Sequence, residues 1–299
     1  MSNNWRGLLA ILVTPFGEDD AVIMEDLDRQ IEFCIASGTQ AIAAPLLASE
    51  FYKLTDEERV AYFQRVSATT RGRAPFLAGV SGTSPAHAVF MARAAKDAGA
   101  DGLIAMPPYV GRSTAVSTAA YYNRVLTATD LPVMVQNAQA PFGIPLTAQA
   151  LVDLVDRYPN VAAIKEETEP NPQSIGRVVD ALGDRPHTVF GGHGGLNLMN
   201  ELGHGSSGTM PACEFADVVA QVLAYYDAGD IEECRGLFSL LQPMLVMERL
   251  YGMRFAKYCL KKRGVISTTN CRDAFPVLDE KDVAEIEALW EPLSGYFRT

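Results

Sequence analysis

Val161-Ala162-Ala163-Ile164-Lys165-Glu166-Glu167-Thr168 is a short hydrophobic run that ends in a lysine and two carboxylates. It reads as a β-strand with a buried apolar part and a polar end. Seven more short runs of this kind, rich in β-branched residues, lie along the 299 residues, at 8–13, 41–46, 75–80, 102–106, 133–137, 188–191 and 207–210, which makes 161–166 the sixth of eight. Amphipathic stretches separate them. Leu27, Ile31, Cys34 and Ile35 recur at helical spacing, Thr55-Asp56-Glu57-Glu58 is a helix start with acids in its first turn, and Ser84-Pro85 opens a helix that Ala98-Gly99 ends. Eight strands alternating with helices predict a (β/α)8 TIM barrel.

At roughly 150 residues per domain the length allows two domains, but one such barrel takes about 250 residues as a single unit. No boundary interrupts the alternation before residue 212, so residues 1–212 are expected to form the barrel. Beyond it, 217–263 and 280–296 read as helices without strands between them, joined by a Ser-, Thr-, Asn- and Pro-rich segment at 264–276. Residues 213–299 are therefore expected to be a helical extension packed on the barrel. A doubly wound sheet is the alternative, but the first strand runs into Thr14-Pro15-Phe16-Gly17-Glu18-Asp19-Asp20 and lacks a glycine-rich dinucleotide fingerprint.

Composition excludes several classes. With 25 Lys plus Arg against 36 Asp plus Glu, the net charge is -11, which repels a polyphosphate backbone; nucleic acid is not an expected partner. The longest apolar stretches, 8–13 and 41–48, fall far short of the roughly 20 residues that span a bilayer, so no membrane partner is expected. The N-terminus lacks the pattern of a secretory signal, and a cytoplasmic location is expected. Five scattered cysteines with no ligand spacing predict neither a disulfide framework nor a structural zinc.

Barrel enzymes work at the C-terminal ends of their strands. The strand period of two puts Lys165 and Glu167 on one face at the end of the sixth strand and Glu166 on the other. Apolar walls disfavour the charged form of an amine, and a neutral amine attacks a ketone to form a Schiff base. The competing reading is a solvated Lys-Glu pair at a strand end.

Residues 7–16 (GLLAILVTPF), Ser49-Glu50-Phe51 followed by Leu54-Thr55-Asp56-Glu57-Glu58-Arg59, Pro107-Pro108-Tyr109, Ile164-Lys165-Glu166 and the distal Ala256-Lys257, Gly264, Arg272 and Pro276 extend the pattern along the chain. Together they resemble the dihydrodipicolinate synthase/N-acetylneuraminate lyase family nearly end to end. The resemblance implies a (β/α)8 barrel with C-terminal helices, Lys165 as a Schiff-base lysine, 2-oxo acid substrates, no metal, and a homo-oligomer, dimeric or tetrameric. It makes Tyr109 the tyrosine that one subunit contributes to its neighbour's site.

Two departures from the family pattern direct the functional reading. The family's carboxylate-holding Gly-Thr-Thr-Gly-Glu reads Leu46-Leu47-Ala48-Ser49-Glu50, in which Ser49 supplies the one hydroxyl and backbone N–H groups at Ala48 and Ser49 remain able to bind the substrate. The family's fifth-strand Tyr-Asn-x-Pro reads Gln136-Asn137-Ala138-Gln139-Ala140-Pro141, and an amide has no proton to relay at neutral pH. In the family's aldolases that tyrosine moves the proton of the C4 hydroxyl. Here Glu167 stands where those aldolases commonly have a small residue, placed to take a C3 proton and deliver it to a departing C4 hydroxyl. Gln136 with Ser49-Glu50 and Lys165-x-Glu167 is similar to the 2-keto-3-deoxyarabonate dehydratase branch, which forms 2-oxoglutarate semialdehyde in carbohydrate catabolism. The alternative for Glu167 is a structural partner of Lys165.

After the seventh strand, Gly191-Gly192-His193-Gly194-Gly195 lies where relatives meet the distal part of the substrate, so Gly192 and His193 are expected to contact it. Residues 205–210 are expected to line the pocket, and the Met- and aromatic-rich stretch 238–251 to be helix core. The expected function is a Schiff-base dehydratase of a 2-keto-3-deoxy sugar acid, with Lys165, Glu167 and Tyr109 catalytic and Ala48, Ser49, Gln136, Gly192 and His193 binding. The alternatives are a pyruvate-dependent aldolase or lyase of the same family and a non-catalytic barrel that binds 2-oxo acids.

Overall fold

Each short apolar run becomes a strand; the first seven pair in parallel in sequence order, and the eighth pairs with the first. The computed structural model describes residues 5–111, 113–139, 141 and 143–298; residues 1–4 of the N-terminus and Ala140 of the fifth-strand motif lie outside them. The strands are β1 (Gly7–Ile11), β2 (Ala41–Ala44), β3 (Phe76–Gly79), β4 (Gly102–Ala105), β5 (Val133–Ala138), β6 (Val161–Glu167), β7 (Thr188–Phe190) and β8 (Gly208–Thr209). They form one sheet in the order β7-β6-β5-β4-β3-β2-β1-β8. The ring closes between β7 and β8, where Ser207 N–H donates to Val189 O at 2.7 Å and Gly191 N–H to Gly208 O at 3.3 Å. This is the expected (β/α)8 barrel.

The strand period decides what fills it. Leu9, Ile11, Ala41, Ala43, Leu77, Ile104, Met134, Ala163, Phe190 and Met210 face inward and pack the interior. Their neighbours Leu8, Ala10, Ile42, Phe76, Leu103, Val133, Ile164 and Val189 face outward, onto the helices. Those helices are α1 (Met24–Ala36), α2 (Asp56–Thr70), α3 (Pro85–Asp97), α4 (Ala115–Thr127), α5 (Ala148–Arg157), α6 (Asn171–Leu182) and α7 (Leu198–Gly203). Thr55, Ser84, Thr114 and Thr147 cap α2 to α5 by accepting backbone N–H groups, each worth about 1 kcal/mol.

The stretch expected as one helix at 217–263 is three: α8 (Ala216–Ala228), α9 (Ile231–Tyr251) and α10 (Met253–Lys262). The breaks fall at Gly229 and Gly252, whose positive φ of 81° and 59° ends a helix at no steric cost. Helix α8 packs on β1 and α1 and so completes the barrel's helical ring. The division expected at 212/213 therefore separates β8 from its own helix. The last helix, α11 (Glu280–Ser294), is capped by Asp279. Among the described residues no helix is long and apolar enough to cross a membrane.

A buried ion pair fastens the C-terminal helices to the loop after β2. Lys257 of α10 donates to Glu50 Oε1 at 2.6 Å and to the Asn270 carbonyl at 2.7 Å, and its Nζ lies 4.7 Å from the centroid of the Phe16 ring. The other Glu50 oxygen accepts the Asp273 N–H at 2.8 Å. Both side chains of the pair have 0% exposure, so neither charge can turn to water if the other is lost. Lys257→Met is expected to lower unfolding free energy by about 3–5 kcal/mol, the scale for stranding one charge of a buried pair, as read by chemical denaturation.

Candidate active site

Alternation along β6 builds the site. Ala163 points into the barrel, so Lys165 and Glu167 do as well, while Ile164 and Glu166 point outward. Lys165 Nζ lies 3.2 Å from Glu167 Oε1, and both side chains are largely buried. On the neighbouring strand Gln136 is paired in register with Lys165, and its Nε2 donates to Glu167 Oε2. The Gln136 carbonyl in turn accepts the Tyr122 hydroxyl from α4. Burial pushes the Glu167 carboxyl up; Lys165, then His193 and the Gln136 hydrogen bond, outweigh it and hold the group below the ordinary glutamate range. Glu167 is thus a carboxylate at neutral pH, touching the amine.

Glu166 has a structural task on the outer face. It accepts Asn137 Nδ2 at 2.8 Å, the Thr168 N–H at 2.7 Å and the Thr168 hydroxyl. Burial pushes its carboxyl up against these hydrogen bonds. Asn137 also exchanges two hydrogen bonds with the Leu146 backbone, which pins the segment after β5.

The loop after β7 closes on Glu167. A Cβ on Gly192 would sit 2.0 Å from Glu167 Oε1, so the carboxylate occupies the space of a missing side chain. His193, with φ of 52°, brings its N–H to 3.4 Å from the same oxygen and its Nε2 to 3.3 Å from the Glu167 carbonyl. The structure therefore brings Lys165, Glu167, Gln136, Gly192 and His193 together.

The other expected residues sit differently. Ser49 is fully buried; its hydroxyl donates to the Leu12 carbonyl and accepts the Leu46 N–H at 3.0 Å. Its proton is spent on holding the loop, which leaves the backbone N–H groups as the turn's means of binding a carboxylate. Ala48 lies beside it in a short 3-10 turn, Leu47–Ser49. Tyr109 is half-buried and packs edge-on to Phe51 with ring centroids 5.2 Å apart, and burial pushes its phenol up. No hydrogen bond joins it to the Lys165–Glu167 group among the described residues. Of the segment 205–210, Met210 lines the barrel interior, whereas the Ser206 hydroxyl donates to the Gly208 carbonyl at 2.7 Å.

Sequence reasoning missed Glu201 of α7, which is fully buried behind β7. A glutamate with no charged neighbour in sequence gives no signal of burial; the glycine pair Gly191-Gly192 is the one trace of the space it fills. Among the described residues no cluster of three or more His, Cys, Asp or Glu side chains could hold a metal. The arrangement is an amine able to act as nucleophile, with an ionised carboxylate beside it able to move protons at the adjacent carbon.

Comparison with known proteins gives the family and the fold. Residues 4–292 match the model of the dihydrodipicolinate synthetase family. The L-2-keto-3-deoxyarabonate dehydratase of Azospirillum brasilense is 26% identical over 288 residues, covering 95% of this chain and 93% of that one. The 4-hydroxy-tetrahydrodipicolinate synthase of Chlorobium phaeobacteroides is 26% identical over 285 residues, covering 92% and 93%. The crystal structure of dihydrodipicolinate synthase from Rhodopseudomonas palustris superposes with a TM-score of 0.90 at 26% identity, over 97% of this chain and 98% of that one.

The contact between Gly192 and Glu167 makes a test. Gly192→Ala must push the carboxylate away from Lys165 by about an ångström or more, a displacement that costs on the order of 10²-fold in turnover. Adding Glu167→Ala to Gly192→Ala is expected to recover thermal stability without recovering turnover, as read by melting temperature and steady-state rates.

Proposed function

The chain belongs to the dihydrodipicolinate synthetase family and is a lyase of that family, and from this premise we propose that it is a Schiff-base-forming dehydratase of a 2-keto-3-deoxy sugar acid. We take the substrate to be 2-keto-3-deoxyarabonate and the product 2-oxoglutarate semialdehyde. The observation that carries the reading is Glu167, ionised and 3.2 Å from Lys165 Nζ, with Gln136 holding its other oxygen. The similarity to the Azospirillum dehydratase supports it.

The steps follow from the geometry. Lys165 Nζ attacks the C2 carbonyl and water leaves, giving an imine that acidifies the C3 protons. Glu167 takes one of them. The protonated carboxyl then gives that proton to the C4 hydroxyl, which departs as water and leaves a C3–C4 double bond in conjugation with the imine. Loss of a C5 proton, return of a proton at C3 and tautomerisation of the resulting C5 enol, whose hydroxyl proton is replaced by one on C4, give the saturated aldehyde; water then hydrolyses the imine, which releases the semialdehyde, one water lighter than the substrate, and restores the amine. Gln136 stabilises the anionic form of Glu167 by donating, and having no labile proton it does not serve as the base on the C4 oxygen that aldol cleavage needs. We assign the substrate carboxylate to backbone N–H groups at Ala48 and Ser49, and the distal hydroxyls to Gly192 and His193.

Two experiments test the reading. Borohydride with a 2-oxo acid is expected to add ligand mass to the Lys165 peptide of the wild type and of Glu167→Gln, and none to Lys165→Ala. On 2-keto-3-deoxyarabonate, Glu167→Gln is expected to lose dehydration by about 10²-fold or more. Stoichiometric pyruvate release by the wild type would favour an aldolase instead, and no turnover of any 2-keto-3-deoxy acid would favour a binding barrel.

We further propose that Tyr109 works in the site of a neighbouring subunit. The exposed apolar side chains Val110 and Val116, 59% and 80% accessible and close to it in sequence, fit a face that is covered in an oligomer. Light scattering at assay concentration is expected to give at least a dimer; a fully active monomer would end the trans role of Tyr109.

A further inference from the structure

Two carboxyl groups fill the two glycines after β7 from opposite sides. Phe190 faces the barrel interior, so Gly192 does too, and Gly191 faces the helices. On the inner side Glu167 Oε1 takes the place of a Gly192 Cβ, 2.0 Å away; on the outer side Glu201 Oε2 takes the place of a Gly191 Cβ, 1.9 Å away. Only the backbone of the glycine pair separates the acids. Glu201 has 0% exposure, and its carboxyl meets no side-chain hydrogen-bond donor among the described residues, the Gly192 backbone N–H being the one donor directed at it. A carboxylate so placed is held as its neutral acid.

We propose that Glu201 is a positioning residue for the chemistry at Lys165, acting across the Gly191-Gly192 backbone to keep Glu167 the single carboxylate charge beside the lysine. The proposal rests on Glu167 being the group that moves protons in the reaction. Burial, then the charge of Glu167, push the Glu201 carboxyl up to about 8, with Lys165 and the Gly192 N–H opposing and Glu169 adding. The other ionisable groups on elements packed around it are His193 before α7, His204 after it, and Arg177 and Asp180 on α6. Below about pH 8 the site carries one carboxylate charge. Above it Glu201 ionises, a second negative charge stands behind Gly192, and Glu167 holds a proton more tightly, so the abstraction of the C3 proton is altered on the alkaline side.

Infrared difference spectra of wild type against Glu201→Gln test the proposal without a substrate. In that difference a protonated-carboxyl band of Glu201 is expected at neutral pH and lost as pH rises through about 8, the bands of Glu214 and Glu248, whose carboxyls burial also pushes up, cancelling between the two proteins. Because coupling between two sites is reciprocal, Glu167→Gln must move the midpoint of that band to lower pH. In turnover, Glu201→Gln is expected to lose the change in rate that the wild type shows as pH rises through about 8. If the chain forms no semialdehyde, the same alkaline limb is read on borohydride trapping of pyruvate at Lys165; shifted bands without dehydration then remove the dehydratase reading and leave the coupling. Absence of the band, an unmoved midpoint in Glu167→Gln, or an identical alkaline limb in Glu201→Gln overturns the proposal. Should Glu201→Gln fail to fold, the Glu167→Gln midpoint still decides it.

Discussion

The alternation of side chains along β6 is the constraint on which the site depends. Ala163, Lys165 and Glu167 share the inner face, and Ile164 and Glu166 the outer. A slip of one residue would bury Lys165 and Glu167 among the helices and put Glu166 in the barrel. The register is held from both sides: Gln136 and Phe190 flank Lys165 on β5 and β7, and Glu166 is anchored outside by Asn137 and Thr168. The outward carboxylate thus fixes the strand that presents the inward one. Neighbouring acids differ in task because the backbone sends them to opposite faces.

A second anchoring relation runs from the rim to the C-terminal helices. Glu50 takes a left-handed backbone, with φ of 51°, directly after the turn that contains Ala48 and Ser49. Its carboxylate is held by Lys257, far along the chain, and by the Asp273 N–H. Ser49 is held in turn by Leu12 and Leu46. The turn proposed to hold the substrate carboxylate is therefore set by buried polar bonds on its far side, which leave its shape little freedom. The helices after the barrel act here as a brace for one loop.

The strands and their count were legible because each is a short apolar run set off by helix signals, and the shared face of Lys165 and Glu167 was legible because strand period needs no tertiary information. Helix ends inside 217–263 were harder to read: Gly229 and Gly252 carry the stop signals, but the apolar pattern continues across both. The commitment of the Ser49 hydroxyl to Leu12 lies beyond sequence, since a serine in a loop reads the same whether its proton faces solvent or a carbonyl. The burial of Glu201 is invisible for the same reason, because α7 is short and its inner face shows only against β7. Pairings across the fold, such as Glu50 with Lys257, exist only once the ring closes.

The contact between Gly192 and Glu167 also constrains ancestry. A residue with a Cβ at 192 and a glutamate at 167 cannot both keep the present backbone, since the Cβ and the carboxylate claim the same space. The two positions therefore constrain each other, and the order in which they can change is not free. A lineage that placed glutamate at 167 first would have passed through a clashing intermediate, whereas one that lost the side chain at 192 first passed only through a small void. A glycine at 192 permits a carboxylate at 167, and a carboxylate at 167 forbids a side chain at 192.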